Sequence, residues 1–280
     1  MNSKYQNHAA ELPTTAKVSG EIVTAEGAMR KTEEEIICER ELEVSVNGTP
    51  AFRLTCTPEH LTELVLGRLY TERIIRSSDE VERLFICGEG NIAEVILRED
   101  IPLRPFSGSE PTCCTGNRQL VERADTADIS ARISNKSGSA SDNSSSLSLP
   151  TAEPRPEDVF RLAEKFREDG ALHRNTSGTH SCYIRLGDGR ILSFEDIGRH
   201  NAIDKAIGFA LLNDIPLSEC LLYTSGRVPV DMVQKVISAG IPVLVSKAVP
   251  TAESVELAQQ YGLTLICRAY PDQFEIYSNE

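Results

Sequence analysis

The chain has 280 residues, enough for one large domain or two smaller ones with buried cores. Hydrophobic residues make up 40% and charged residues 25%, an ordinary globular balance, and no run approaches the roughly 18 apolar residues that a membrane span needs. Lysine and arginine number 29 against 42 aspartates and glutamates, a net charge of -13, which argues against binding nucleic acid by phosphate neutralisation.

Residues 1–32 are polar and read as a frayed leader that enters a first strand. The start, Met1 to Glu11, has no apolar signal core, so the expectation is a cytoplasmic protein with reduced thiols rather than a disulfide framework among its eight cysteines. Leu42, Val44 and Val46 alternate with polar residues as a strand does. Asn47-Gly48 signals a hairpin turn, with a return strand from Ala51 to Cys56. Thr57 is placed to cap a helix whose first residue is Pro58 and whose apolar face is Leu61, Leu64, Val65, Leu69 and Ile74. Two short strands follow, near 84–87 and 93–97, completing a small α+β unit.

Cys113-Cys114-Thr115-Gly116-Asn117 comes after a Pro- and Gly-bearing stretch and before a short helix expected over 119–127. Backbone N–H groups at that helix start, with Arg118 beside them, would stabilise a thiolate, the form that attacks sulfane sulfur and carries it as a persulfide. A bond between the two neighbours is disfavoured, because their Cα atoms sit about 3.8 Å apart, below the disulfide range of about 4.4–6.8 Å. The local sequence leaves open a sulfur-handling pair or a loop pair without a chemical role. Nine serines fall among residues 124–153, with no aromatic residue, and this span reads as a tether between domains.

The remainder alternates between helix and strand. Helices are expected over Pro156–Glu168, Asn201–Leu212, Pro229–Ala239 and Ala252–Tyr261. Strands are expected over Ser181–Leu186, Ile191–Phe194, Cys220–Thr224, Pro242–Val245, Leu263–Cys267 and Phe274–Tyr277. The repetition predicts an α/β domain with substantial parallel pairing, its ligand surface at the strand carboxyl ends. Four polar loops fall there. Asn175 to His180 precedes the first strand, and Glu195-Asp196-Ile197-Gly198-Arg199-His200 runs into a helix. Thr224-Ser225-Gly226-Arg227 and Ser246 to Thr251 each join a strand to a helix. Helix starts with single basic residues suit phosphate groups, although Ser-Gly is also a plain turn signal.

These runs, with Val46 to Pro50, Cys56-Thr57-Pro58 and Leu66 to Ile75, resemble the FdhD family of formate dehydrogenase accessory proteins over about residues 20–118 and 155–280. The run Glu195 to Lys205, EDIGRHNAIDK, is its most specific part. The resemblance implies a smaller N-terminal α+β domain (1–123, with the thiol loop), the linker (124–153), and a cytidine-deaminase-like three-layer α/β/α domain (154–280). It implies a homodimeric, cytoplasmic sulfurtransferase that takes sulfur from a cysteine desulfurase as a persulfide on Cys113 or Cys114. The sulfur would pass to the molybdenum or tungsten bis(molybdopterin guanine dinucleotide) cofactor, bound as a substrate, before insertion into formate dehydrogenase. Cofactor contacts are expected at His180, Arg199, His200, Ser225, Arg227 and Thr251, and by family position at Arg268, Ala269, Tyr270, Pro271, Asp272 and Gln273. The chain departs from the family's usual Cys-x-x-Cys by pairing its cysteines directly. No permanently bound metal is expected, because a zinc deaminase needs H-x-E and P-C-x-x-C and neither is present. The alternative is a cofactor-binding chaperone without sulfur chemistry.

Overall fold

The computed structural model describes residues 4–101, 103, 149–150, 152–168 and 170–277. The span expected as a frayed leader is largely strand: β1 (Tyr5–Asn7), β2 (Thr15–Val23) and β3 (Met29–Ile37). Lys17, Ser19 and Glu21 alternate with Val18, Gly20 and Ile22, so β2 carries a period of two that its charge had disguised. It pairs antiparallel with β3 in a two-stranded ribbon, while β1 joins the first large sheet.

That sheet is completed by β4 (Arg40–Val46), β5 (Thr49–Cys56), β6 (Val81–Ile86) and β7 (Ile92–Leu97), in the order β1-β6-β7-β4-β5. Asn47 and Gly48 both take positive φ, 48° and 75°, as the expected two-residue turn demands. Pro50, which has no N–H to give a ladder, sits on the edge strand where that costs least. Leu42, Val44, Val46, Leu54 and Leu84 pack with α1 (Leu61–Thr71) in one core.

The second unit holds α2 (Pro156–Glu168), α3 (Ala171–Thr176), β8 (His180–Arg185), β9 (Ile191–Asp196), α4 (Arg199–Leu212), β10 (Leu221–Thr224), α5 (Val230–Ser238), β11 (Val243–Ser246), α6 (Ala252–Tyr261), β12 (Thr264–Cys267) and β13 (Glu275–Ile276). Its sheet runs β13-β12-β11-β10-β8-β9, parallel through β10, β11 and β12 and antiparallel elsewhere. Helices α4, α5 and α6 cover one face, where Ile184, Leu222, Leu244 and Leu265 are buried. Helix α2 covers the other, over Tyr183, Tyr223, Val245 and Ile266. Coverage on both faces is why the central strands are nearly continuous apolar runs. Leu149, inside the span expected as linker, is buried in the α4-side core and its N–H bonds the Tyr261 carbonyl at 3.0 Å. No helix among the described residues is long and apolar enough to cross a membrane.

Helices α1 and α4 join the two units, crossing at two glycines. A Cβ on Gly67 would lie 1.8 Å from the Asp204 carbonyl oxygen, and one on Gly208 would lie 1.8 Å from that of Glu63. Only hydrogen fits at either point. Around the crossing lie buried charges. Asp204 receives Lys235 Nζ at 2.6 and 2.7 Å and the Thr71 hydroxyl at 2.9 Å, while Arg68 pairs with Glu72 at 2.7 Å. Lys205 binds Asp196 and the Thr57 hydroxyl, each at 2.7 Å. Thr57 therefore does not cap α1. Its N–H and hydroxyl both go to Asp196 at 3.1 Å, and His60, with φ 53°, precedes the helix instead. A buried carboxylate left without donors would be costly, and Asp196, fully buried, takes both.

Candidate functional site

Strand register gathers the polar loops at one edge. His180 pairs with Asp196, Thr224 with both Cys182 and Ser246, and Val245 with Ile266, so one end of the sheet collects the segments at 180, 196, 225, 247 and 268. Backbone bonds tie them together. Ser225 N–H donates to the Ser181 carbonyl, Lys247 to that of Thr224, and Ala269 to that of Ser246, at 3.0–3.1 Å. This is the carboxyl end of the parallel strands, where an α/β sheet presents its ligand surface.

Side-chain alternation divides the rim between the two faces. On the α4 side, His180 Nδ1 lies 3.3 Å from Ser225 Oγ, which also accepts from the Ser181 N–H at 3.0 Å. Arg199 and His200 are not in a loop, as their sequence context suggested, but open α4. Arg199 is half-buried and its Nε is enclosed without a hydrogen-bond partner. Gly226 makes room for it, since a Cβ there would press to 3.1 Å against the Arg199 side chain. His200 is buried, with Nε2 3.2 Å from Asp231 Oδ2 and Nδ1 unpartnered. Burial pushes the His180 imidazole below its ordinary pKa, and the Arg199 charge adds to this. Burial likewise lowers His200, with Asp231 pulling the other way. Arg227 is exposed and forms no ion pair among the described residues. Thr251 stands at the rim, but its hydroxyl accepts from Ser254 N–H at 3.2 Å in a capping box that starts α6.

On the α2 side lies a cavity of about 320 Å³ whose walls include Phe166, His173, Arg174, Lys247, Tyr270 and Pro271. Lys247 Nζ sits 5.2 Å from the centre of the Phe166 ring. Of the segment expected to touch cofactor, Ala269, Tyr270 and Pro271 border this cavity. Ala269 is buried and its carbonyl accepts from the Tyr223 hydroxyl at 3.1 Å. Arg268 turns to Glu275 at 3.1 Å, and Asp272 and Gln273 are exposed.

Residues 37–280 match the model of the FdhD/NarQ family. The chain belongs to the FdhD/NarQ family. It is similar to proteins named sulfur carrier protein FdhD. It is 30% identical to that of Methanothermobacter thermautotrophicus, over 89% of this chain and 92% of the other. It is 31% identical to that of Staphylococcus haemolyticus, over 91% of each, and 32% identical to that of Mycobacterium bovis, over 88% and 90%. The fold is shared with the crystal structure of a putative formate dehydrogenase accessory protein from Desulfotalea psychrophila, at TM-score 0.72 and 20% identity over 95% of this chain and 98% of that one.

Within this FdhD/NarQ chain, the most specific run divides by role. Asp196, Asn201, Asp204 and Lys205 of EDIGRHNAIDK are buried and bonded within the junction, leaving Arg199 and His200 toward the rim. Cys113 and Cys114 lie outside the described residues. Among the other thiols, burial pushes Cys56 and Cys267 up to about 12 and Cys220 to about 11, and raises Cys182 as well. These four are poor thiolates at neutral pH. Cys87 moves the other way. Burial opposes the shift, but backbone N–H groups of the turn at 89–92 bring it below the ordinary thiol value.

Sequence reasoning did not select Lys247, His173, Arg174 or Phe166. Lys247 lies in the Ser246 to Thr251 loop that the sequence places at the rim and directly follows a buried strand, as Ser225 does, yet only Thr251 of that loop is among the expected contacts. His173 and Arg174 ride on α3, six residues too short to show periodicity, and Phe166 lies within α2, where nothing in its local sequence marks it out.

Proposed function

We propose that this chain is a sulfurtransferase, a sulfur carrier protein that serves formate dehydrogenase as a cytoplasmic homodimer. It accepts sulfur from a cysteine desulfurase on Cys113 or Cys114. The thiolate attacks the terminal sulfur of the donor persulfide and the donor thiolate leaves, so sulfur moves without net oxidation. The acceptor is the molybdenum or tungsten bis(molybdopterin guanine dinucleotide) cofactor, held as a substrate on the rim of the second sheet, whose three layers form a cytidine-deaminase-like domain.

One observation carries the cofactor half. The rim's basic groups are unmatched, with Arg199 Nε enclosed without a partner and Arg227 and Lys247 outside any ion pair among the described residues. A half-buried guanidinium with an empty hydrogen-bond direction is costly unless an anion completes it. Phosphates of a nucleotide-bearing cofactor supply that anion. His180 and Ser225 would flank it on the α4 face, and Ala269, Tyr270 and Pro271 would meet the remainder across the sheet edge. The sulfur half is supported by family membership, and the raised pKa values of Cys56, Cys182, Cys220 and Cys267 leave those four thiols, though not Cys38 or Cys87, unsuited to the role.

The test is mass spectrometry after incubation with a cysteine desulfurase and cysteine. One added sulfur should map to Cys113 or Cys114. Label confined to Cys38, Cys56, Cys87, Cys182, Cys220 or Cys267 would overturn the sulfur assignment. Absence of any label with guanine-nucleotide binding intact would identify a cofactor chaperone instead.

A further inference from the structure

Helix α3 has no cap of its own. Gly170 occupies the cap position with φ 94° and offers no side chain, and six residues are too few for a helix to persist by propensity. Its first N–H groups are met by Glu195, reaching from β9. Oε2 accepts from Leu172 N at 3.1 Å and Oε1 from His173 N at 2.9 Å. Oε1 also accepts from the Thr179 hydroxyl at 3.2 Å and the Ser181 hydroxyl at 3.4 Å. One carboxylate thus gathers four donors from the helix, the loop after it and the next strand. An ionised carboxylate only accepts, so it fits four donors, whereas an amide would turn an NH₂ group toward some of them.

What Glu195 holds is one wall of the α2-side cavity. His173 and Arg174 line it, facing Lys247 and Tyr270, and His173 is pinned by a 2.6 Å contact from Nδ1 to the Thr179 carbonyl. Glu195 is itself anchored from behind. Its backbone carbonyl accepts from Lys205 Nζ at 3.0 Å, with the Thr57 hydroxyl oxygen 3.2 Å away, at the buried junction between the two units. A chain of direct contacts therefore runs from the junction through Glu195 to the cavity wall.

We propose that Glu195 is a positioning residue of the cofactor site, touching no ligand and setting the His173–Arg174 wall for an anionic purine nucleotide. This rests on the cofactor assignment above. Calorimetric titration of the full chain with GDP tests it in four forms: wild type, Glu195→Gln, His173→Ala with Arg174→Ala, and the triple variant. Glu195→Gln should weaken GDP binding about tenfold in the wild-type background, the scale of one lost charge-assisted contact. It should add nothing in the triple variant, where the wall it holds is already gone.

Equal affinity in wild type and Glu195→Gln would overturn the proposal while leaving the cofactor site standing. So would an equal loss in both backgrounds, which is the mark of a general structural defect. A wild-type chain that does not bind GDP overturns the cofactor assignment and this inference with it. Should Glu195→Gln not fold, Thr179→Val removes one of the four donors without altering the cavity lining and serves in its place. That change should weaken GDP about threefold with the wall present and leave affinity unchanged without it. Unchanged affinity in both backgrounds would sink the idea.

Discussion

The junction beneath α4 and the rim at its start are both rich in charge, yet the charges are paired differently. Arg68 Nε and Nη1 at the junction lack a hydrogen-bond partner just as Arg199 Nε does at the rim, but Arg68 has Glu72 and Asp204 as counter-ions. At the junction Asp204 has Lys235 and Thr71, and Asp196 has Lys205, Thr57, Gly198 and Asn201, all within 3.1 Å. At the rim, a few residues away on the same helix, Arg199 Nε and His200 Nδ1 have no partner. Charge satisfied from within the chain holds the two units together. Arg199 has no such counter-ion among the described residues, so one continuous motif holds both paired and unpaired charge.

The contrast is broken most forcefully at the junction. Lys235 is fully buried, and burial lowers its pKa against the pull of Asp204. Lys235→Met would strand the Asp204 carboxylate and should cost about 3–5 kcal/mol of stability in chemical denaturation. Adding Asp204→Leu should recover part of that loss, because an apolar pair does not carry the burial cost of charge. A single variant within about 0.5 kcal/mol of wild type, the range of an ordinary surface change, would show that the network does not join the units.

At the rim the pattern should invert. Arg227→Ala should leave the unfolding midpoint nearly unchanged, as exposed substitutions usually do, yet weaken GDP binding by about 1.5–3 kcal/mol, roughly ten- to hundred-fold. Stability lost with affinity kept would place Arg227 in the wrong class.

The smallest expected effect is in pH dependence. His180 is held below its ordinary value by burial and then by Arg199. An anion beside it favours the charged imidazole, so binding takes up a proton. The ratio of GDP affinity in wild type to that in His180→Asn should therefore rise as pH falls from about 6.5 toward the lowered free-protein value. A flat ratio would mean that His180 does not face the phosphate.

How much of this was legible beforehand varies residue by residue. Helices α2 and α6 keep their expected bounds, since each has strong local punctuation: Pro156 at the start of one, Gly262 after the other. The β2–β3 ribbon was missed because its charged face diluted the apolar alternation that makes it a strand. Thr57 was misread because a local signal, Ser or Thr before a helix, lost to a carboxylate 139 residues away. Thr251 was selected for the rim, but its hydroxyl is occupied by the helix it caps.

The sequence alone determined the family motifs, the alternation of strands and helices in the second unit, and the convergence of its loops at one sheet edge. These follow from local periodicity and from the rule that parallel strands share a carboxyl end. Only the tertiary structure decided which polar residues of EDIGRHNAIDK are bonded inside the protein and which stay unpartnered at the sheet edge. That choice depends on what packs against each side chain. Gly67, Gly208, Thr57 and Lys235 come from distant parts of the chain, and no local pattern reveals that they meet at one helix.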